Sequence, residues 1–188
     1  MVDESVTVKG SPVRSLQKFI QDELSPAQQQ AVFDSLPAEY ATRFRSPILA
    51  TETLPLHMLN RFTEVAAAVK GEPLEEFARR AGREAASEAV KGVYRFFALV
   101  LTPPALLSKA SQMWSSLYNQ GQLRVEEQTG TSARLRLTNF PSELAGCSRI
   151  SGWIERMAEL TGVKNISVRQ TECFARGDAA CVWDVTWT

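Results

Sequence analysis

The hydrophobic period of this chain changes once, at Gln122. Before that point apolar residues recur every three to four positions, and after it they recur at every second position. A chain with one such switch builds helices first and a sheet afterwards. Ser11-Pro12 starts the first helix, serine as cap and proline in the first turn, with Val13, Leu16, Phe19 and Ile20 at helical spacing as far as Leu24. Ser25-Pro26 repeats the signal for a second helix bearing Val32, Phe33 and Leu36, which Pro37 ends. A third begins around Thr53 to Pro55 and carries Leu56, Leu59, Phe62, Val65 and Val69 to a stop at Gly71. Pro73 opens the longest helix, running to Leu101, and Pro103-Pro104 starts another through Leu106, Leu107, Ala110, Trp114 and Leu117 to the turn YNQGQ.

Past Gln122, Leu123 and Val125 alternate with Arg124 and Glu126, and Ala133, Leu135 and Leu137 alternate with Arg134 and Arg136. That pattern is an antiparallel hairpin with one wet face. Ser142 is a candidate cap for a helix with Leu144, Cys147, Ile150, Ile154 and Met157 on one side, stopped by Gly162. Two strands, ISVRQTEC and CVWDVTW, finish the sheet. The fold class is α/β of the α+β type, N-terminal helices followed by a ββαββ four-stranded antiparallel sheet. One domain is expected over residues 1–188, helical over 1–120 and ββαββ over 121–188.

The parity of the last strands bears on the cysteines. Cys181, Trp183, Val185 and Trp187 share one face of their strand, which is the core face. A hairpin loop centred on Gly177 sets Cys173 opposite Cys181, so the two share that face. The preceding strand, however, buries Ile166 and Val168, and strict alternation from them turns Cys173 outward. Both statements hold only with an extra residue, so a bulge is expected near Gln170 to Glu172. It gathers Cys173, Cys181 and one of Gln170 or Glu172, and Cys147 reaches the same place from the apolar side of its helix. Three thiolates and a carboxylate suit zinc, with four ligands at about 2.0 to 2.3 Å. Three buried cysteines facing one core, with no metal, are the plain alternative.

Other chemistry is scarce. Lysine plus arginine equals aspartate plus glutamate at 21 each, which gives no basic surface for nucleic acid. GVYRFFALVL, the longest apolar stretch, is interrupted by Arg95 and too short to span a bilayer. The acidic opening MVDESVTVKG is not a signal peptide, so the cytoplasm is the expected location. One histidine supports no Ser/His/Asp set, and there is no glycine-rich phosphate loop, so no enzyme is expected. Arg176-Gly177-Asp178 is what a hairpin turn requires. Along the longest helix Phe77, Gly82, Ala85, Ala86, Ala89, Val93 and Phe96 form a stripe poor in large side chains. Such a stripe admits another backbone or leaves room for a ligand.

ECFARGDAACVWDVTW, preceded by MWSSLYNQGQLRVEE in a ββαββ layout, resembles the 4-vinyl-reductase-type domain. That module is grouped with haem-NO-binding domains and the Bet3-type subunits of TRAPP complexes in one ligand-sensing α/β superfamily. The likeness covers roughly residues 90–187. The N-terminal half, with VKGSPVRSLQKFI, looks like a small branch known chiefly from myxobacteria. In phenol-sensing transcription activators the related domain binds zinc through a helix cysteine, a Glu-x-x-Cys and a further cysteine after a hairpin. By that resemblance Cys147, Cys173 and Cys181 take the thiolate positions, while Gln170 stands where the glutamate belongs. The site is then incomplete unless Glu172 or water substitutes. Haem-binding relatives use a proximal histidine and a Tyr-x-Ser-x-Arg clamp. This chain lacks the clamp and has only His57, so haem is disfavoured.

The resemblance implies a non-catalytic sensory or regulatory domain that takes a small, largely apolar ligand between helices and sheet, with Phe96, Phe97, Trp114 and Tyr118 as walls. The alternative is an interaction or assembly module with a packed interior, acting as a homodimer or on a signalling partner. A pigment-precursor reductase has only the family name behind it, with no acid, base or redox group placed for it.

Overall fold

Local capping chemistry sets the first turns. In the computed structural model, which describes residues 5–91 and 102–188, α1 spans Gly10–Glu23 and α2 Pro26–Ser35. The start of α2 is a capping box, with the Gln28 N–H donated to the Ser25 hydroxyl at 3.4 Å and the Ser25 N–H to the Gln28 carboxamide at 3.0 Å. A short α3 follows at Ala38–Arg45. Thr53–Pro55, expected to open a helix, is instead strand β2, paired antiparallel with β1 (Thr7–Lys9) through Val8 and Leu54. Burial explains the difference, because Val8 and Leu54 are both inside the core while the flanking residues are not. Helix α4 (Leu56–Lys70) ends on Gly71 at φ 76°, the left-handed cap that glycine reaches without strain. Helix α5 covers Leu74–Lys91, and the rest of the expected long helix lies outside the described residues.

Helix α6 (Pro103–Leu117) is capped by the Thr102 hydroxyl and leads into β3 (Gln122–Gln128) and β4 (Ser132–Thr138). Then come α7 (Leu144–Leu160), β5 (Ser167–Glu172) and β6 (Cys181–Thr186). The sheet runs β3-β4-β6-β5, antiparallel throughout, so the α+β class and the ββαββ order are as the periodicity requires. Its outer face is wet. There Arg134 pairs with Asp184 at 3.0 Å, and Arg136 pairs with both Glu126 and Glu172. Arg136 and Glu172 flank Val182 in register, and their ion pair passes over it, which accounts for a fully buried valine on that face.

On the inner face α7 is pressed between the sheet and α5. The small-residue stripe of α5 is consumed by this packing. A β-carbon on Gly82 would sit 2.0 Å from the Arg149 carbonyl oxygen, and one on Gly152 of α7 would sit 1.9 Å from that of Arg79. At Gly82 the stripe therefore leaves no room for a ligand; Ala85 and Ala89 keep part of their surface, and Val93 and Phe96 lie outside the described residues. One continuous apolar cluster runs from Val8 and Leu16 through Phe62 and Phe77 to Trp183 and Trp187.

Candidate metal centre and ligand cavity

The expected bulge lies where the parity argument needs it. Gln170 pairs with Trp183 and Glu172 with Val182, so Thr171 is the extra residue. One step further the same register sets Cys173 beside Cys181. The RGD turn holds that end of the hairpin. The Cys173 N–H donates to the Asp178 carboxylate at 2.7 Å, the Cys173 carbonyl accepts from Arg176 and Asp178, and Gly177 turns the chain at φ 98°.

Cys147 arrives from α7. Its sulfur is 3.4 Å from that of Cys173 and 3.5 Å from that of Cys181, and all three sulfurs lie within 4.8 Å of one another, buried. Two zinc-bound thiolates of a tetrahedral site stand roughly 3.8 Å apart, as follows from a Zn–S length of about 2.3 Å. The two shorter separations fall a little below that distance, and the three thiols form a group able to hold a metal ion. Electrostatics favours a thiolate there. The Cys147 thiol, aided against burial by the Phe174 N–H and by the Ser142 hydroxyl, pulls Cys181 down to about 6, while the same contact pushes Cys147 up. The Phe174 N–H donates to the Cys181 sulfur at 3.4 Å, the kind of outer contact that stabilises a metal-bound thiolate. The Ser142 side chain is buried, and its oxygen has no partner within hydrogen-bonding geometry, although it lies near enough to favour the Cys181 thiolate. Above the cluster, Ser151 donates to the Cys147 carbonyl and accepts the Trp183 indole N–H at 2.8 Å, which ties α7 to β6.

Glu172 does not join this cluster. Its carboxylate lies on the wet face against Arg136, because the bulge turns the residue before Cys173 outward. Gln170 shares the register of the inward-facing Trp183, and its amide nitrogen is buried without a partner. Of the expected ligand walls, Trp114 is packed in the core, 4.8 Å from Phe140 in a T-shaped pair and stacked on Tyr118 at 4.3 Å. Tyr118 keeps some accessible surface. Phe96 and Phe97 lie outside the described residues.

An apolar cavity of about 50 Å³ lies elsewhere, between α6, α7 and the inner face of the sheet. Leu107, Met113, Trp153, Ile154, Met157 and Trp187 are among its walls. Ile154 and Met157 are legible as a core-facing stripe. Trp153 is not, because it stands one step off that stripe. A second polar feature escapes the pattern entirely. Arg149 of α7 donates to the Asn60 carboxamide oxygen and the Thr63 hydroxyl of α4, both at 2.8 Å. Desolvation draws its guanidinium below the ordinary arginine range, and the same effect pushes the neighbouring Tyr118 phenol up.

Among the described residues no helix is long and apolar enough to cross a membrane. No protein-family model and no curated protein sequence matches the chain. Solved structures of H-NOX proteins do match in fold. One from S. oneidensis in the Fe(II)NO ligation state has a TM-score of 0.74 at 11% identity, over 96% of this chain and 99% of that one. An Fe(II) unliganded protein from K. algicida has a TM-score of 0.72 at 10% identity, over 96% of each chain. An oxygen-binding H-NOX domain related to soluble guanylate cyclases, in its oxygen complex, has a TM-score of 0.70 at 15% identity, over 96% of this chain and 95% of that one.

That likeness gives the expectation against haem no support, and the question passes to the residues. His57, the one histidine, stands in the first turn of α4 with its ring 5.6 Å from that of Tyr40. The apolar cavity is several-fold below the roughly 300 Å³ at which pockets for drug-sized ligands begin. The propionate clamp is absent from the sequence. The described residues do not fit a haem. The fold of this chain is that of the H-NOX structures.

Proposed function

We propose that the chain is a non-catalytic sensory domain in which zinc, held by Cys147, Cys173 and Cys181, fastens α7 to the β5–β6 hairpin, and in which a small, largely apolar ligand is taken up between α6, α7 and the sheet. The observation that carries this reading is the meeting of three buried sulfurs from a helix and a distant hairpin at distances close to those of a metal face. Zinc bound there would supply a rigid cross-link, its fourth position left to the Ser142 hydroxyl or to water. The chain's own residues supply the coupling. Cys147 sits two turns before Trp153 and Ile154, which line the cavity on the same helix. A ligand that shifts α7 thereby loads the hairpin. The output would pass to a partner protein, a second copy of this chain included.

Elemental analysis of the purified chain tests the reading. One zinc per chain is expected, together with a lower melting temperature after treatment with a strong chelator and loss of metal in Cys147→Ser and Cys181→Ser. A protein that takes up no zinc when it is offered, and melts identically with and without chelator, overturns it.

A further inference from the structure

Four arginines in the α5–α7 layer each have a carboxylate: Arg79 with Glu155, Arg80 with Glu23 and Glu72, Arg83 with Glu155 and Glu159, and Arg156 with Glu159. Arg149 has none among the described residues, and its two partners are neutral. Only an oxygen of Asn60 can accept from a guanidinium, so the Asn60 amide nitrogen points the other way. That residue is fully buried, and the nitrogen has no partner. A β-carbon on Gly146 would stand 3.4 Å from the Asn60 oxygen and 3.8 Å from its nitrogen, so the glycine leaves a methyl-sized space beside this carboxamide. At the end of α6, Tyr118 stacks on Trp114 and feels the Arg149 charge.

The arrangement is one-sided. Arg149 has five N–H donors and spends two, the buried Asn60 amide nitrogen has no partner, and no carboxylate of the described residues comes within ion-pair distance of the guanidinium, on which Glu143 and Glu64 act only from farther off. An arginine keeps its charge in such a place, and a buried charge with no direct counter-ion is costly. We infer that Arg149, Asn60 and Tyr118 form the head-group site for a carboxylate, held edge-on by the guanidinium fork, with the aromatic cluster of Tyr118, Trp114 and Phe140 against the rest of the molecule. This rests on the sensory part of the reading above and names a second site, apart from the cavity between α6, α7 and the sheet, for a small organic acid with an apolar body.

The test uses the as-purified full chain with acetate, benzoate and octanoate, each beside its uncharged amide, and with inorganic phosphate. Binding is read from the melting temperature and from tryptophan fluorescence. At least one acid should bind about tenfold or more tighter than its amide, and Arg149→Lys, which keeps the charge and loses the fork, should weaken that acid by about tenfold. Arg149→Met should fold, since it removes the unbalanced charge, and should not respond to the acid. Should that variant fail to fold, the lysine variant decides alone. Acids and amides binding alike, an unaltered response in Arg149→Lys, or a response to phosphate with none to the carboxylates overturns the inference. So does loss of zinc from Arg149→Met in a chain that binds no carboxylate, because the guanidinium would then be the counter-charge of the thiolates. Binding of neutral phenol, equal in wild type and Arg149→Met, would leave the sensory reading standing while the anion site falls.

Discussion

Gly82 of α5 and Arg149 of α7 meet backbone to backbone, so closely that a β-carbon on the glycine would stand 2.0 Å from the arginine's carbonyl oxygen. Gly152 and Arg79 repeat the contact with the helices exchanged, at 1.9 Å. Alanine is the better helix former by about 1 kcal/mol, but here it must push two helices apart. Gly82→Ala and Gly152→Ala are each expected to lose about 3 kcal/mol. Urea denaturation should show the midpoint falling at constant slope; a midpoint that stays or rises would mean the helices separate freely.

Ser151 bridges α7 and β6 through the Trp183 indole. Removing its hydroxyl leaves a buried N–H without an acceptor, at a cost of about 1 to 3 kcal/mol. Ser151→Ala should therefore lower the melting temperature and change the emission of Trp183. A Ser151→Thr variant that keeps the bond should behave nearly as wild type, which separates the hydrogen bond from the packing.

The two acidic or amide candidates beside Cys173 should part company. Glu172→Gln breaks only a surface pair with Arg136, so zinc content should not change and stability should drop by about 0.5 kcal/mol. Gln170→Glu places a carboxylate where a buried amide now has no partner, and zinc should leave more slowly to a competing chelator. Loss of zinc from Glu172→Gln would return that residue to the ligand set.

Glu159 joins α5 to α7 through Arg83 and, along α7, Arg156. Burial opposes its ionisation, but hydrogen bonds from the two arginines outweigh burial and hold its carboxyl below the ordinary range. A carboxyl whose folded pKa is depressed gives stability that is present above its unfolded pKa and is lost as pH falls through the folded one. The side chain is 30% exposed, so the effect should stay under about 1 kcal/mol. Wild type should lose stability on acidification through the carboxylate range more steeply than Glu159→Gln, and parallel curves would contradict this.

Much of this architecture can be read from the sequence, and the exceptions have physical causes. The conflict of parity between Val168 and Cys181 placed the bulge at Gln170 to Glu172, because a two-residue period tolerates no error of one. The same pattern cannot show β1 and β2, since three residues such as Thr7–Lys9 display no period. Helix α3 is also missed, because Ala41 and Phe44 are its only buried residues. Glu172 looked available to the sulfurs because the added residue could fall on either side of it; the fold put it at Thr171, which leaves Glu172 outward. Arg149 is invisible for another reason. Whether an arginine lacks a counter-charge depends on which acids fold beside it, and no spacing along the chain records that.

The β1 strand fastens the start of the described chain to the far end of α6. The Thr7 N–H donates to the Asn119 carboxamide, 112 residues away, and the Asn119 amide donates to the Ser5 carbonyl, both at 2.7 Å. A ribosome delivers the β2 partner of Val8, Leu54, well before Asn119. During translation β1 and β2 are therefore expected to pair first and the latch to α6 to close only after Asn119 clears the exit tunnel, which makes nascent-chain length the variable controlling when this last contact becomes protease-resistant.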